Sequence, residues 1–165
     1  MKTILIPTDF NTESVKIIDA LVLTNKPQNI GIIFMHAFGL SDSITDMLML
    51  SRRSRDYENI SNDFYTQLEI YRQKYPNHIK FIGIEYFYGN TVAAFKNFID
   101  GVNADFIAYP KDYNFEKINK YSIDAKTLTK RCGCEVVELD VNEFSKEEKL
   151  FDTKMPQENI QVLSA

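Results

Sequence analysis

The 165-residue chain has no tryptophan, two cysteines, two histidines and six glycines. Each shortage excludes something. Cys132 and Cys134 lie two positions apart, so no disulfide framework can close loops with them, which fits a reducing compartment. With His36 and His78 they form a countable zinc set, but Cys-x-Cys lacks the usual ligand spacing and no metal site is expected. Positive charge is also short: 19 Lys and Arg stand against 23 Asp and Glu, a net charge of −4. Such a surface has no basic field with which to gather a nucleic-acid backbone, so no DNA or RNA partner is expected. Apolar runs such as "IGIIFM" at 30–35 fall far short of the roughly 20 residues a spanning helix needs, so no membrane partner is expected either. The strand pattern starts at the N-terminus and leaves no room for a cleavable signal, so the expected location is cytoplasmic.

The scarcity of glycine matters most at one place. None occurs between Gly101 and Gly133, a stretch that contains "ADFIAYPKDYNFEKINKYSID" at 104–124. That segment reads as a buried strand leaving into a loop, where a doubly wound α/β fold normally holds its ligand. A loop that grips phosphate is rich in glycine, because its N–H groups must approach the anion closely and some residues must take φ > 0.

What is present is enough apolar and aromatic residue, 44% and 13%, to bury one core, and the length is too short for two full domains. "TILIP" at 3–7 and "IGIIFMHAF" at 30–38 are almost continuously apolar, the mark of strands buried on both faces. "IKFIGIEYF" at 79–87 has a mixed face and belongs nearer an edge. "DFIAYP" at 105–110 and "EVVEL" at 135–139 complete five strands.

Helical patterns alternate with them. Asn11 caps the first, with Phe10 and Val15 as a hydrophobic staple, and it runs to about Lys26, where Pro27 stops it. Tyr57, Ile60, Phe64, Leu68, Tyr71 and Tyr75 step by three or four and predict one helix; "SDSITDMLMLSRRSR" before them is less regular. Thr91 caps a third helix. Ile118, Tyr121, Ala125, Leu128 and Cys132 predict a fourth, with Gly133 available just past its end. Strand and helix in alternation imply a doubly wound α/β domain over residues 1–140, its strands parallel and its crossovers right-handed. Residues 141–165 turn charged and polar. They read as a C-terminal extension holding a short helix capped by Ser145 and Glu148 and, in "IQVLS", a candidate edge strand.

"KTILIPTDF" before a capped helix, "IIFMHAF" closing the second strand and "ADFIAYP" opening the fourth resemble the universal stress proteins across roughly residues 1–140. The resemblance implies a Rossmann-like five-stranded parallel sheet of order 3-2-1-4-5 and a homodimer formed through the fifth strand, which the C-terminal extension would cover or extend. In members that bind ATP, a Pro-Thr-Asp after the first strand and a backbone position ending the second hold adenine and ribose. Those positions are Pro7, Thr8, Asp9 and Ala37 here. An Asp just before a helix can equally serve only to orient its turn. The family's phosphate loop, Gly-x-x-Gly followed later by Gly-Ser or Gly-Thr, is where this chain departs. Pro110 and Tyr113 replace the first two glycines, Tyr121-Ser122 stands for the last pair, and Ser122 alone remains as a phosphate contact near a helix start. No cofactor is expected by this reading, with ATP or AMP as the candidates if a residual pocket survives.

Nothing else in the chain signals catalysis. There is no Gly-x-Ser-x-Gly, and the pattern places no Ser, His and Asp set on adjacent strand ends. "CGC" follows a helix C-terminus, whose dipole disfavours thiolate, and reads as inert packing. "SRRSR" at 51–55, beside Asp46, Asp56 and Glu58, reads as a solvated face. The expected function is a non-catalytic stress-response or signalling module that acts through dimerisation and contacts with an unidentified protein partner. The alternative is a binder of adenine nucleotides or another small molecule that uses Pro7, Thr8 and Asp9, and a third reading is nucleotide hydrolysis dependent on Asp9.

Overall fold

A computed structural model describes residues 1–25, 28–39 and 57–141. Five strands form one parallel sheet in the order β3-β2-β1-β4-β5. They are β1 (Lys2–Pro7), β2 (Ile30–Phe38), β3 (Ile79–Tyr88), β4 (Phe106–Pro110) and β5 (Val136–Leu139). The order is the doubly wound one that the alternation predicts. Every residue of β2 is buried, as its unbroken apolar run requires of a strand covered on both faces. β3 lies at an edge. The chain moves from β1 to β2 to β3 and then returns past β1 to β4, so the switch point falls between the carboxyl ends of β1 and β4.

Helices cover both faces. On one, α1 (Ile17–Thr24) and α2 (Asn62–Lys74) bring Ile18, Leu21, Phe64 and Leu68 onto Ile4, Ile6, Ile32 and Phe34. Between these helices the buried Asp19 carboxylate accepts from Lys74 Nζ at 2.9 Å, from Tyr71 Oη at 3.1 Å and from Tyr75 Oη. On the other face, α3 (Val92–Val102) and α4 (Ala125–Thr129) set Phe95, Ile99, Ala125 and Leu128 against Leu5, Ile33, Met35 and Ile107.

Local signals place most boundaries. Thr91 accepts the N–H of Ala94 to cap α3, and Asn103 ends it in the left-handed region. Asn11 does cap the first helical segment, but that segment opens as a 3₁₀ turn over Thr12–Lys16 before α1 begins. α1 ends at Thr24 with Asn25 as its C-cap, short of the expected end near Lys26; Lys26 and Pro27 lie outside the described residues, as do the 41–55 tract, Ser145, Glu148 and "IQVLS".

Two helical expectations need correction. The stripe from Tyr57 to Tyr75 is a 3₁₀ turn (Tyr57–Asn59) followed by α2, because the Ser61 side chain accepts the Phe64 N–H and starts a new helix there. The stripe from Ile118 to Cys132 is not one helix. Ile118 and Tyr121 pack on the first face of the sheet, whereas Ala125, Leu128 and Cys132 pack on the second. α4 starts only at Ala125, capped by Asp124, and everything before it is loop. Periodicity survives across the break because the loop wraps the sheet's carboxyl edge and leaves apolar side chains on both sides.

Candidate functional site

The site begins where β1 runs out. The Thr8 N–H donates to the Met35 carbonyl at 2.8 Å, and the Thr8 hydroxyl accepts the Phe10 N–H at 3.0 Å while bonding Ser14 Oγ at 2.7 Å. This tight turn holds Phe10 at φ 61, in the left-handed region that an aromatic residue rarely adopts. The ring is in the core, edge-on to Phe64 with centroids 5.3 Å apart. Packing of that ring offsets the backbone cost and fixes the exit of the chain from the sheet.

Asp9 is thereby directed across the switch point to the loop after β4. Its carboxylate accepts from Tyr113 Oη at 2.8 and 3.0 Å, from the Glu116 N–H at 3.0 Å and from the Asn11 N–H at 3.1 Å. Burial, followed by the bond to Asp9 and its negative charge, pushes the Tyr113 phenol well above its usual value. Tyr113 therefore remains a hydroxyl donor at ordinary pH. The Asp9 carboxylate is thus occupied by the protein's own phenol and backbone.

The loop of residues 111–124 is held along its length. Asp112 takes φ 59, the left-handed turn position for which a phosphate loop would use glycine; Asp tolerates it. Lys126 Nζ donates to the Tyr113 carbonyl at 2.7 Å and lies against the rings of Tyr109 and Phe115. Farther along, the chain runs antiparallel to the end of β2, with the Gly39 N–H on the Tyr121 carbonyl at 2.7 Å and the Ile123 N–H on the Ala37 carbonyl at 2.9 Å.

Ser122 sits in this returning segment, bridged to Phe38, and its side chain meets His36. Nδ1 of His36 is 2.7 Å from the Thr8 carbonyl, which can only accept, so Nδ1 carries a proton. Nε2 is 2.8 Å from Ser122 Oγ, and that oxygen already accepts the N–H groups of Ile118 at 3.0 Å and Asn119 at 3.4 Å. In the neutral ring the proton on Nδ1 leaves Nε2 bare, and the Ser122 hydroxyl donates to it. Both side chains are more than nine-tenths buried, Ser122 at 8% and His36 at 5% exposure.

Below the loop remains a cavity of about 170 Å³, whose walls include Pro7, Thr8, Met35, Ala37, Ser122 and Ile123. The structure thus places Pro7, Thr8, Ala37 and Ser122 on one cavity. Asp9 lies beside it and does not line it; its carboxylate is turned to Tyr113. Pro110 ends β4, and Tyr121 is partly buried on the first face of the sheet. Among the described residues no group of His, Cys, Asp or Glu side chains converges as a metal site would require. Cys132 is buried and Cys134 partly so, both as free thiols, and burial raises the Cys134 thiol.

Sequence reasoning missed two partnerships. Tyr113 figures in the sequence only as the replacement of a glycine, although its phenol is the donor to Asp9. His36 and Ser122, 86 positions apart, showed no signal of meeting. The parity of His36 with Phe34 and Phe38 in β2 places its ring on the first face, but which loop would reach it depends on the wrap of residues 111–124.

No protein-family model matches the chain, and no curated protein matches it. Solved structures do. The crystal structure of a hypothetical protein, PH0823, superposes with a TM-score of 0.50 at 14% identity, over 84% of this chain and 96% of that one. The universal stress protein UspA from Lactobacillus plantarum gives 0.43 at 13% identity, over 84% and 97%. A universal stress protein family protein from Arabidopsis thaliana with AMP bound gives 0.42 at 14%, over 85% and 92%. At 14% identity the likeness to PH0823 is one of fold.

Proposed function

We propose that this chain, built on the universal stress protein fold, is a non-catalytic stress-response or signalling module that works through contacts with protein partners and without tight ATP binding. The observation that carries the proposal is the occupation of Asp9. Its oxygens are taken by Tyr113 Oη, the Glu116 N–H and the Asn11 N–H, so the acceptor that would hold a ribose is satisfied from within. The loop above it has no glycine, and Pro110 offers no N–H to an anion. A triphosphate would have to displace Tyr113 and gain little backbone in exchange. Dimerisation through β5, whose outer edge has no strand partner among the described residues, belongs to the same proposal.

Isothermal titration of the full chain with ATP, ADP and AMP tests this reading. The expected result is no measurable ATP affinity below the millimolar range; a micromolar Kd for ATP overturns it. Light scattering that finds a monomer at high concentration removes the dimer.

The cavity of about 170 Å³ favours a second reading. It is smaller than the roughly 300–1,000 Å³ of typical ligand pockets, yet it keeps Pro7, Thr8 and Ala37 on its wall. A base-sized ligand, or AMP with its base inserted, is the ligand class for such a space. Binding of AMP without ATP in the same titrations, or of adenine in a parallel one, would establish it.

A further inference from the structure

Ser122 and His36 are not used by the leading proposal, and their geometry is that of an activated nucleophile. A serine within hydrogen-bond reach of an imidazole, itself oriented by a third group, is the arrangement that makes a hydroxyl reactive. Here Oγ is 2.8 Å from Nε2 and Nδ1 is fixed on the Thr8 carbonyl at 2.7 Å, so the imidazole presents its bare nitrogen to the hydroxyl. A backbone carbonyl stands where hydrolases place a carboxylate. It selects the same tautomer without adding negative charge.

Two further features belong to such a site. The consecutive N–H groups of Ile118 and Asn119 converge on Oγ, and Ser122 lines the cavity with Met35, Ala37 and Ile123. The Asn119 contact is long, at 3.4 Å, and leaves one lone pair of Oγ weakly engaged. We propose that Ser122 is an acyl-acceptor serine that takes a short acyl group from a small activated ester, with His36 as its general base. Oγ attacks the carbonyl carbon, and the hydroxyl proton passes to Nε2. The bond from that carbon to the leaving oxygen then breaks, and the leaving oxygen receives the proton from Nε2. As Oγ becomes an ester-type oxygen it is a poorer acceptor, and the Ile118 and Asn119 N–H groups that faced it can turn to the adjacent oxyanion, where donors stabilise it. The cavity limits the acyl group to a short chain, which would meet Met35, Ala37 and Ile123 on a wall that also holds Glu116, Lys117 and Asp124. Acylation would remove the hydroxyl that ties residues 118–122 to His36. The modification therefore acts on the loop that also closes Asp9.

The test uses the folded full chain with p-nitrophenyl acetate, read by p-nitrophenolate release and by peptide mapping. The expected result is a burst of one equivalent, with the acetyl group on Ser122. In urea the same residue should remain unlabelled, because the pairing with His36 is lost. His36→Gln should slow the burst by at least about tenfold, in keeping with general-base contributions of 10²–10⁴. A fluorophosphonate probe should mark the same serine. Acetyl groups on lysines or the N-terminus alone, or equal labelling of Ser122 in the unfolded chain, overturn the proposal. Mapping is done on the natural sequence, so the outcome does not depend on whether Ser122→Ala folds. ATP titration reads a different event, so the two proposals fail separately.

Discussion

Tyr113→Phe removes one oxygen from the contact on which the closed site depends. The hydroxyl is shared between both oxygens of Asp9, at 2.8 and 3.0 Å. A hydrogen bond to a charged partner contributes about 1.5–3 kcal/mol. Tyr113 is only partly buried and Asp9 keeps the N–H groups of Asn11 and Glu116, so the lower end applies, about 1.5 kcal/mol. For a chain of this size that corresponds to roughly 3–6 °C in Tm. The pH dependence carries its own sign. The folded phenol is raised above the usual value of about 10, first by burial and then by Asp9, so the folded state binds the proton more tightly than the unfolded one. That contribution is complete below about pH 10 and is lost as pH rises beyond it. Urea unfolding of both proteins across the pH range measures the gap. Tyr109, also raised chiefly by burial, is common to both and cancels. The gap should be level at neutral pH and shrink in alkali. A Phe variant within about 0.3 kcal/mol of the natural protein at pH 7 would refute the reasoning, as surface substitutions already reach that scale. So would a gap that stays constant well above pH 10.

Asp19→Ala strips the acceptor from Tyr71, Lys74 and Tyr75; with Lys74 partly exposed and discounted, the loss is about 2–3 kcal/mol in urea, and Asp19→Asn should recover part of it. A loss below about 0.5 kcal/mol would mean that the carboxylate does not join α1 to α2. In Gly31→Ala the new methyl would sit 2.3 Å from the Phe81 ring, forcing that half-exposed side chain aside at a cost of about 1 kcal/mol. The penalty should vanish in the Phe81→Ala background, and an additive double-mutant cycle would deny the contact. Thiol titration should find Cys132 and Cys134 slow in the native protein at neutral pH, one buried and the other with its thiol raised, and fast after unfolding. Rapid native reaction would contradict inert packing.

The fold was legible because its signals are local and repeated. The apolar run of β2 and the cap at Thr91 each hold without knowledge of the rest. The site was legible only in its first half. Pro7 and Ala37 lie at the carboxyl ends of β1 and β2 and Thr8 just past β1, ends that the pattern locates, so their meeting on one cavity follows from parallel pairing. The loop at 111–124 resisted, because a stretch without regular structure is positioned by side-chain bonds between residues distant in sequence. Tyr113 reaches Asp9 across 104 positions, and Ser122 reaches His36 across 86. Spacing by three and four from Ile118 to Cys132 even pointed the wrong way. A chain wrapping an edge can repeat at helical intervals without being a helix, and nothing in the residue types tells the two apart.

Hydrogen exchange at the Glu116 and Ile118 amides is the most direct test of a loop seated on the sheet. The first donates to the Asp9 carboxylate and the second to Ser122 Oγ, and neither lies in a helix or strand that would protect it otherwise. Both should exchange far more slowly than unstructured amides, at rates unchanged by saturating ATP. Exchange near the unstructured rate, or a change in these amides on adding ATP, would mean that the loop does not occupy the site.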